Sequence, residues 1–380
     1  IISDILTKIS TNNSALGSLC HVFQGIVTGA DKVSPKNIKQ YGIHAKPGEG
    51  IFVLNKNELE NLHLNEVEKL FIRPWYKNSD ISRYYCATRN SQYLIYRSSK
   101  HSENNLPNIK KHLDNYKIIL INRNVRAGEV SISEYDDFVK GKCHIDYVMI
   151  ASSMRAGNFY ALSYARDEEE FNGPKLVSPQ RSYQNTFCYN ELPWYASADV
   201  YFITQKNLTI SLKYILALLN SKLYFFWLYH RGKRKGEMLE LYQKPLSEIP
   251  IKVISPEEQL RFTDIVDQIL SIKQKDQTFN TNELETKIDK LVYEMYGLTN
   301  EEIAIVEGKT NNSKSELSPE VVTSEIVDEI SESGIVDRPF QSDYDLYKCD
   351  LCGKMVLGHD RENHSKEYHH GQAEWDKLKK

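Results

Sequence analysis

Four cationic side chains lie within five consecutive residues of the chain, with one glycine among them and another directly after. The four are Arg231, Lys233, Arg234 and Lys235. Guanidinium and ammonium groups neutralise phosphates, and glycine lets the main chain come close to a ligand. The apolar, aromatic run 216–229 predicts a rigid helical base for this loop. The segment therefore predicts contact with a nucleic-acid backbone, and the alternative is a solvated charged loop between two core helices.

A second group of residues that could do chemistry lies near the C-terminus. Zinc prefers four tetrahedral nitrogen and sulfur ligands, a C-x-x-C pair bends around the metal, and H-x4-H places two imidazoles on one helical face. We therefore predict a zinc finger whose ligands are Cys349, Cys352, His364 and His369. The alternatives are His370 or His359 as the fourth ligand, or a free thiol pair without metal.

Other polar residues follow strand-like runs, and strand ends and loops on a rigid sheet are where recognition residues usually lie. The candidates for base or backbone contact are Arg123, Arg126, Arg181 and Gln184, followed by Lys77 and Arg83. The alternative for each is a surface side chain that has no ligand. No nucleophile–base arrangement is present, and the acidic run 167–170 lacks the spaced lysine of a nuclease site. We assign no catalytic residue.

The elements that must position these residues are predicted from hydrophobic periodicity. Residues 1–20 predict a connector helix with Ile2, Ile5, Leu6 and Ile9 on one face. Helices are predicted near 55–70 and 106–115. Short strands separated by polar loops are predicted at 20–26, 50–54, 92–96, 117–122, 147–151, 175–177 and 200–204.

The pattern turns helical after residue 205. Ser255 and Pro256 predict a helix start, and the apolar face of that helix comprises Leu260, Ile265, Val266, Ile269 and Leu270. A second helix is predicted at 281–296, with Gly297 as its end. We interpret this pair as a packing and docking element. The polar, acidic composition of the next segment predicts a flexible linker.

Composition excludes some classes of protein. No uninterrupted apolar run reaches ~18 residues, so a membrane span is not expected. Scattered cysteines and no signal peptide indicate a reduced, cytoplasmic protein. The formal charge is only −3, but residues 301–345 hold twelve acidic against three basic residues, whereas 205–254 hold nine basic against three acidic. A basic body with an acidic tether is compatible with DNA contact.

Several motifs occur in an order that matches a known family. They are FQGIVTG (23–29), IRPWYKNSDI (72–81) followed by Arg83 and Tyr84, GPKLVSPQR (173–181), ADVYFI (198–203), LNSKL (219–223) with PLSEIPI (245–251), and KLVYEMYGL (290–298). Together they resemble the C-terminal specificity domain of TaqI-type adenine DNA methyltransferases and of type IIG restriction–modification enzymes. The resemblance extends over residues 20–307.

The resemblance implies that double-stranded DNA is the partner and that base edges are read in the major groove. It also implies a methyltransferase domain that uses S-adenosylmethionine, flips adenine out of the duplex and methylates its exocyclic amine. The family's Asn-Pro-Pro-Tyr motif and glycine-containing cofactor motif do not occur in this sequence. We therefore expect the C-terminal portion of a longer enzyme, whose absent catalytic domain binds S-adenosylmethionine.

The expected fold class is α+β, with a strand-rich recognition domain, a helical segment and a small zinc-finger module. The expected segments are a connector helix (1–20), the target-recognition domain (21–254), a helical pair (255–307), an acidic linker (308–342) and the zinc finger (343–380). The finger would bind either flanking DNA or a protein partner.

Two interpretations from other classes are considered. A non-enzymatic specificity subunit of a type I-like system would be expected to contain two recognition domains in tandem, and only one is visible. A zinc-dependent protein-interaction module would leave the ordered motifs unexplained.

Overall fold

The computed structural model describes residues 1–98, 106–123 and 160–309, position 137, and the backbone of three short strands after residue 345. The chain forms two units. The first comprises residues 1–143 and 153–310, and the second comprises 144–152 and 311–380. The strand predicted at 147–151 lies outside the described residues, as does most of the second unit.

Several helices begin with a capping box, in which the residue before the helix and the third helical residue exchange hydrogen bonds, as at Ser34, Asn55, Ser255 and Thr299. The described helices, in chain order, are α1 Ile2–Ser10, α2 Leu16–Leu19, α3 Pro35–Tyr41, α4 Lys56–Asn61, α5 Glu66–Lys69, α6 Pro107–Asp114, α7 Lys117–Asn122, α8 Glu169–Asn172, α9 Leu212–Asn220, α10 Lys222–Arg231, α11 Gln243–Ser247, α12 Pro256–Lys275, α13 Asn282–Tyr296 and α14 Asn300–Val306.

The strands are short and form several small sheets. In chain order they are β1 Ser14–Ala15, β2 Cys20–Gln24, β3 Val53–Asn55, β4 Ile72–Tyr76, β5 Ile81–Ser82, β6 Tyr85–Cys86, β7 Gln92–Ile95, β8 Lys175–Pro179, β9 Arg181–Ser182, β10 Cys188–Asn190, β11 Tyr195–Ala196, β12 Val200–Gln205, β13 Arg234–Lys235, β14 Met238–Glu240, β15 Pro250–Ile251, β16 Leu346–Cys349, β17 Met355–Leu357 and β18 Trp375–Lys377.

A four-stranded antiparallel sheet in the order β10–β8–β12–β2 lies at the centre of the first unit. Phe202 in β12 pairs with Phe23 on one side and with Val177 on the other. Every residue of β8 is buried. Apolar residues predominate in the strands predicted at 20–26, 175–177 and 200–204, and β2, β8 and β12 confirm these predictions, although β2 ends at Gln24.

A second four-stranded sheet has the order β11–β4–β7–β3, in which β11 pairs in parallel with β4 and the other pairs are antiparallel. Tyr76 in β4 stacks on Trp194, with ring centroids 4.6 Å apart. The strand predicted at 92–96 is confirmed. The strand predicted at 50–54 starts later, and its last residue, Asn55, is also the N-cap of α4.

The apolar run predicted as one helix is two helices, α9 and α10, with Ser221 between them. Ser221 has an extended backbone (φ −71°, ψ 157°), and its hydroxyl accepts a hydrogen bond from the amide of Tyr224. The C-terminal helices α12 and α13 share the core of α9 and α10. Phe262 packs edge-on against Tyr214 at 5.2 Å, so the predicted packing role of this helix pair is confirmed.

Two further details of the predicted helices and strands are wrong. Residues 117–122, predicted as a strand, form α7, because an apolar run this short does not distinguish a buried helix from a buried strand. Leu260, predicted on the apolar face of α12, is 57% exposed. Gln259 takes the buried position instead, since its amide is bonded to the backbone of Ser211 and Thr209.

The second unit contains a three-stranded antiparallel sheet in the order β17–β16–β18. The side chains of the predicted zinc ligands, Cys349, Cys352, His364 and His369, lie outside the described residues. Helices together with several separate sheets confirm the α+β class for the part that the structure describes. No helix in that part is long and apolar enough to cross a membrane.

Candidate nucleic-acid interface

A small antiparallel sheet brings together two candidate segments that are distant in the sequence. Strand β14 pairs with β13 on one side and with β9 on the other, and we call these three strands the hairpin sheet. Arg181 lies opposite Glu240, and Arg234 lies opposite Leu239. The hairpin sheet therefore places Arg181 next to the cationic cluster that the sequence analysis identified separately.

The predicted cationic loop is a β-hairpin whose shape depends on two glycines. A Cβ atom at Gly232 would lie 2.4 Å from the carbonyl oxygen of Leu228, so only glycine lets the chain leave α10 this closely. Gly236 has a φ of +59° in the turn between β13 and β14, a conformation that disfavours other residues. Arg231 is the last residue of α10 and is exposed, as is Lys235.

An aromatic side chain at the end of α10 supports the hairpin. The guanidinium of Arg234 lies 3.9 Å from the centroid of the Tyr229 ring, within the range of a cation–π interaction. The Tyr229 hydroxyl donates to Glu237 at 3.2 Å. Phe226 and Trp227 in the preceding turn are buried. The aromatic base that the sequence predicts is therefore present, and it orients one of the cations.

A buried carboxylate lies between two of the cations. Glu240, which is 6% exposed, pairs with Lys233 at 3.0 Å and with Arg181 at 3.3 Å. The hydroxyl of Tyr242 donates to the same carboxylate at 2.9 Å. Burial alone would raise the pKa of Glu240, but the hydrogen bonds from Lys233, Tyr242 and Arg181 outweigh it and lower the pKa below its usual value. Glu240 is therefore charged and fixed.

The turn after β9 presents polar and aromatic side chains to solvent beside the hairpin. Tyr183 is 69% exposed, and Gln184 is exposed. The hydroxyl of Ser182 accepts a hydrogen bond from the amide of Gln184 at 3.3 Å and lies 2.9 Å from the Thr186 hydroxyl. These contacts order the turn, so that Gln184 projects from a structured segment rather than from a free loop.

Arg83 is held by groups within the protein. Its Nη1 donates to the carbonyl and side-chain oxygens of Asn185 at 2.9 and 3.0 Å. Its Nη2 donates to the carbonyl of Asn220 at 2.8 Å and to Glu285 at 2.6 Å. These bonds link the turn after β9 to α9 and α13, so Arg83 has a role in packing that the sequence did not indicate.

Arg123 also points inward, toward the carbonyls of Thr28 and Ala161. Its guanidinium lies 5.1 Å from the centroid of Phe52, and burial lowers its pKa. Lys77 is exposed and directly follows β4. Arg126 lies outside the described residues. The structure thus gathers Arg181, Gln184, Lys233, Arg234 and Lys235 around one sheet, with Arg231 next to it.

Sequence reasoning missed Glu240, Tyr242 and Tyr183 as members of this surface. A signal for two of them was present, because Leu239 and Leu241 alternate with Glu240 and Tyr242. Alternation of this kind places Glu240 and Tyr242 on one face of an extended segment. Within the described residues, no group of three or more histidine, cysteine or acidic side chains is arranged to hold a metal ion.

Comparison with known proteins identifies a matching family model and several similar proteins. A family model described as the TaqI-like C-terminal specificity domain matches residues 73–251. The type II methyltransferase M.HindII of Haemophilus influenzae is 24% identical over 245 residues, which cover 63% of this chain and 39% of that protein. The type II methyltransferase M.HincII of Haemophilus influenzae is 41% identical over 61 residues, which cover 16% of this chain and 12% of that protein.

Among solved structures, the Type IIL restriction-modification enzyme MmeI, determined in complex with DNA, matches with a TM-score of 0.51 and 13% identity. The match covers 78% of this chain and 36% of that one, and at this identity it shows likeness of fold alone. The chain spans about two fifths of the length of M.HindII. Residues 73–251, which contain the whole hairpin sheet, are thus similar to the TaqI-like C-terminal specificity domain.

Proposed function

We propose that this chain is the sequence-specific DNA-recognition part of an adenine-specific DNA methyltransferase, and that the hairpin sheet grips duplex DNA. The observation that carries the proposal is the gathering of Arg181, Lys233, Arg234 and Lys235 on one exposed sheet by the pairing of β9, β14 and β13. The match of a specificity-domain model to the same residues supports it.

The chemistry of the surface suits a duplex. Five cationic residues lie on or beside the hairpin sheet against two acidic ones, Glu237 and Glu240. Lysine and arginine neutralise phosphates without regard to sequence, whereas polar side chains on an ordered turn are suited to base edges. Gln184 and Tyr183 are the polar and aromatic side chains on that turn. Backbone grip and base contact would therefore come from adjacent parts of one surface.

Methyl transfer is assigned to a different part of the parent enzyme. The relatives M.HindII and M.HincII are named as methyltransferases, and this chain covers 39% and 12% of them. The Asn-Pro-Pro-Tyr motif of the family is absent from this sequence. In this proposal, S-adenosylmethionine binds to a catalytic domain, and the present chain directs that domain to its DNA target site. The parent enzyme would also cleave DNA if it is a type IIG enzyme.

Salt titration of duplex binding tests the proposal. Replacing Arg231, Lys233, Arg234 and Lys235 with alanine should weaken binding to all duplexes and flatten the slope of log affinity against log salt by about 0.9 for each phosphate that the variant no longer neutralises. The matched control replaces four exposed lysines elsewhere, Lys36, Lys39, Lys287 and Lys290. The control should keep the wild-type slope. Equal slopes for all three proteins would refute the proposal.

The C-terminal cysteines and histidines support a second, separate proposal, that Cys349, Cys352, His364 and His369 hold one zinc ion. The purified chain should contain one zinc per molecule, and cobalt in its place should give the absorption of a tetrahedral site with two sulfur and two nitrogen ligands. Cys352→Ser should abolish the metal content. Metal content that survives this substitution would exclude these ligands.

A further inference from the structure

The guanidinium of Arg181 is held along one edge. Its Nε donates to Oε1 of Glu240 at 3.3 Å, and its Nη2 donates to the hydroxyl of Tyr242 at 2.8 Å. The Tyr242 hydroxyl in turn donates to the same Oε1 at 2.9 Å. The three groups form a closed triangle, although the Arg181 side chain remains 41% exposed. Arg181 is therefore oriented while it is still accessible.

The two groups that hold Arg181 are themselves fixed to the body of the protein. Glu240 lies directly opposite Arg181 in the register of β14 and β9, and it is buried. The ring of Tyr242 packs edge-on against Tyr201 of the central sheet, with centroids 6.1 Å apart. The amide of Leu241, between the two, donates to the carbonyl of Gln180 at 2.8 Å. The support for Arg181 is rigid.

The anchored edge leaves a defined part of the guanidinium for a ligand. Arginine has five N–H donors, of which the contacts above use the one on Nε and one on Nη2. Nη1 makes no hydrogen bond to any residue that the structure describes. What remains is the end-on fork formed by Nη1 and Nη2. That fork fits two acceptors side by side, which occur in O6 and N7 of guanine and in two oxygens of a phosphate.

The charge around Arg181 favours guanine over phosphate. Glu240 also pairs with Lys233 at 3.0 Å, so two cations share one carboxylate. A carboxylate at this position weakens the electrostatic attraction of Arg181 for a phosphate. A phosphate contact depends mainly on positive charge and tolerates variable orientation of the side chain. Recognition of a base edge requires a guanidinium in a fixed orientation. A buried carboxylate such as Glu240 fixes that orientation.

We propose that Arg181 reads the major-groove edge of a guanine and that Glu240 and Tyr242 are positioning residues for this contact. The inference rests on the proposed function and adds the base that one residue recognises. It assigns the buried carboxylate a purpose in specificity, whereas the cations Arg231, Arg234 and Lys235 hold the duplex backbone.

Binding selection from random duplexes, followed by titrations on single-base variants of the selected site, tests the inference with the full chain. Arg181→Lys keeps the charge and removes the fork, so it should lose about tenfold or more of the preference for guanine at one position, with an unchanged salt slope. Glu240→Gln should lose preference at the same position and should keep or gain affinity for random duplex. Tyr242→Phe should lose a smaller part of the preference for guanine, again at that position.

Glu248→Gln is the matched control, because it removes an exposed negative charge at the end of α11, and no contact between Glu248 and Arg181 occurs in the part of the chain that the structure describes. It should select the same site as the wild type. If Glu240→Gln instead tightens binding to every duplex and keeps the full guanine preference, Arg181 contacts phosphate and the inference is wrong. An unaltered base preference in Arg181→Lys overturns it as well.

Unfolding curves establish that each variant is folded. Should Glu240→Gln fail to fold, Arg181→Lys and Tyr242→Phe decide the question, because Tyr242 is partly exposed and its substitution removes one hydroxyl. Both variants must lose base preference at the same base pair. A wild-type chain that binds no duplex overturns the proposed function and the inference together, whereas duplex binding without a guanine preference overturns the inference alone.

Discussion

Four of the arginines that the structure describes fall into two groups that the sequence does not separate. Arg181 and Arg234 lie on the hairpin sheet and are exposed. Tyr242 and Glu240 orient Arg181, and Tyr229 orients Arg234. Arg83 and Arg123 donate to backbone carbonyls of the body and join segments that are distant in the sequence. Both groups follow short regular elements, and sequence alone makes members of both candidates for DNA contact.

The difference lies in the partners. An arginine whose donors are taken by carbonyls inside the protein stabilises the fold, because leaving those carbonyls unpaired is costly. An arginine held along one edge keeps donors for a ligand. The comparison teaches that, in this fold, the orientation of a cation indicates its use better than the local density of charge does.

The largest expected effect is on stability, at Arg83. Arg83→Ala removes bonds to Asn185, Asn220 and Glu285 and should lower the free energy of unfolding by about 3–4 kcal/mol, measured by chemical denaturation. Arg89→Ala, at an exposed arginine nearby, should change it by less than about 0.5 kcal/mol. An Arg83 variant as stable as the control but defective in DNA binding would move Arg83 into the other group.

A smaller effect on the free energy of unfolding is expected from Asp289, a buried acidic residue of α13. Its Oδ1 accepts a hydrogen bond from the amide of Lys222 at 2.8 Å, and burial raises its pKa to about 6 from 3.8. The folded protein therefore binds this proton more tightly than the unfolded chain. Stability contributed by this group is largest at low pH and is lost as pH rises from about 4 through 6.

Asp289→Asn keeps the hydrogen-bond acceptor and removes this titration. Relative to the variant, the wild type should lose on the order of 2 kcal/mol of unfolding free energy between pH 4 and pH 7. Denaturation at several pH values gives both curves. If the unfolding free energies of wild type and variant changed with pH in parallel, the pKa of Asp289 in the folded protein would not be raised.

The smallest effect on stability is expected at the hairpin itself. Replacing Arg231, Arg234 and Lys235 with alanine should change the free energy of unfolding by less than about 1 kcal/mol, because exposed cations contribute little to stability. The same denaturation measurement applies. A decrease comparable to that of Arg83→Ala would mean that the hairpin cations are part of the fold, and the contrast between the two groups would disappear.

Local patterns explain which parts of the fold were predictable. The central strands β8 and β12 are short runs of mostly apolar residues, and α12 and α13 carry a capping serine and a terminal glycine, respectively. The cationic cluster was visible because its members are adjacent in the sequence. The strand prediction for residues 117–122 is wrong because periodicity is uninformative over six residues that are mostly buried.

The site depends on contacts that no local pattern reports. Arg181 meets Glu240 only because β9 pairs with β14, a pairing between distant segments. Arg83 resembles Arg181 in its surroundings along the chain, and its hydrogen bonds to Asn185, Asn220 and Glu285 distinguish it. Tertiary partners separate two arginines that composition and spacing treat alike.

Photo-crosslinking tests the central claim most directly. A benzophenone amino acid in place of Tyr183, which is 69% exposed beside the hairpin sheet, is compared with one in place of Phe279, which is 54% exposed in the turn between α12 and α13. With a duplex containing the selected site, irradiation should give a protein–DNA adduct from position 183 and little from position 279. Equal adducts at both positions, or an adduct from position 279 alone, would contradict the assignment of the hairpin sheet as the DNA-binding surface.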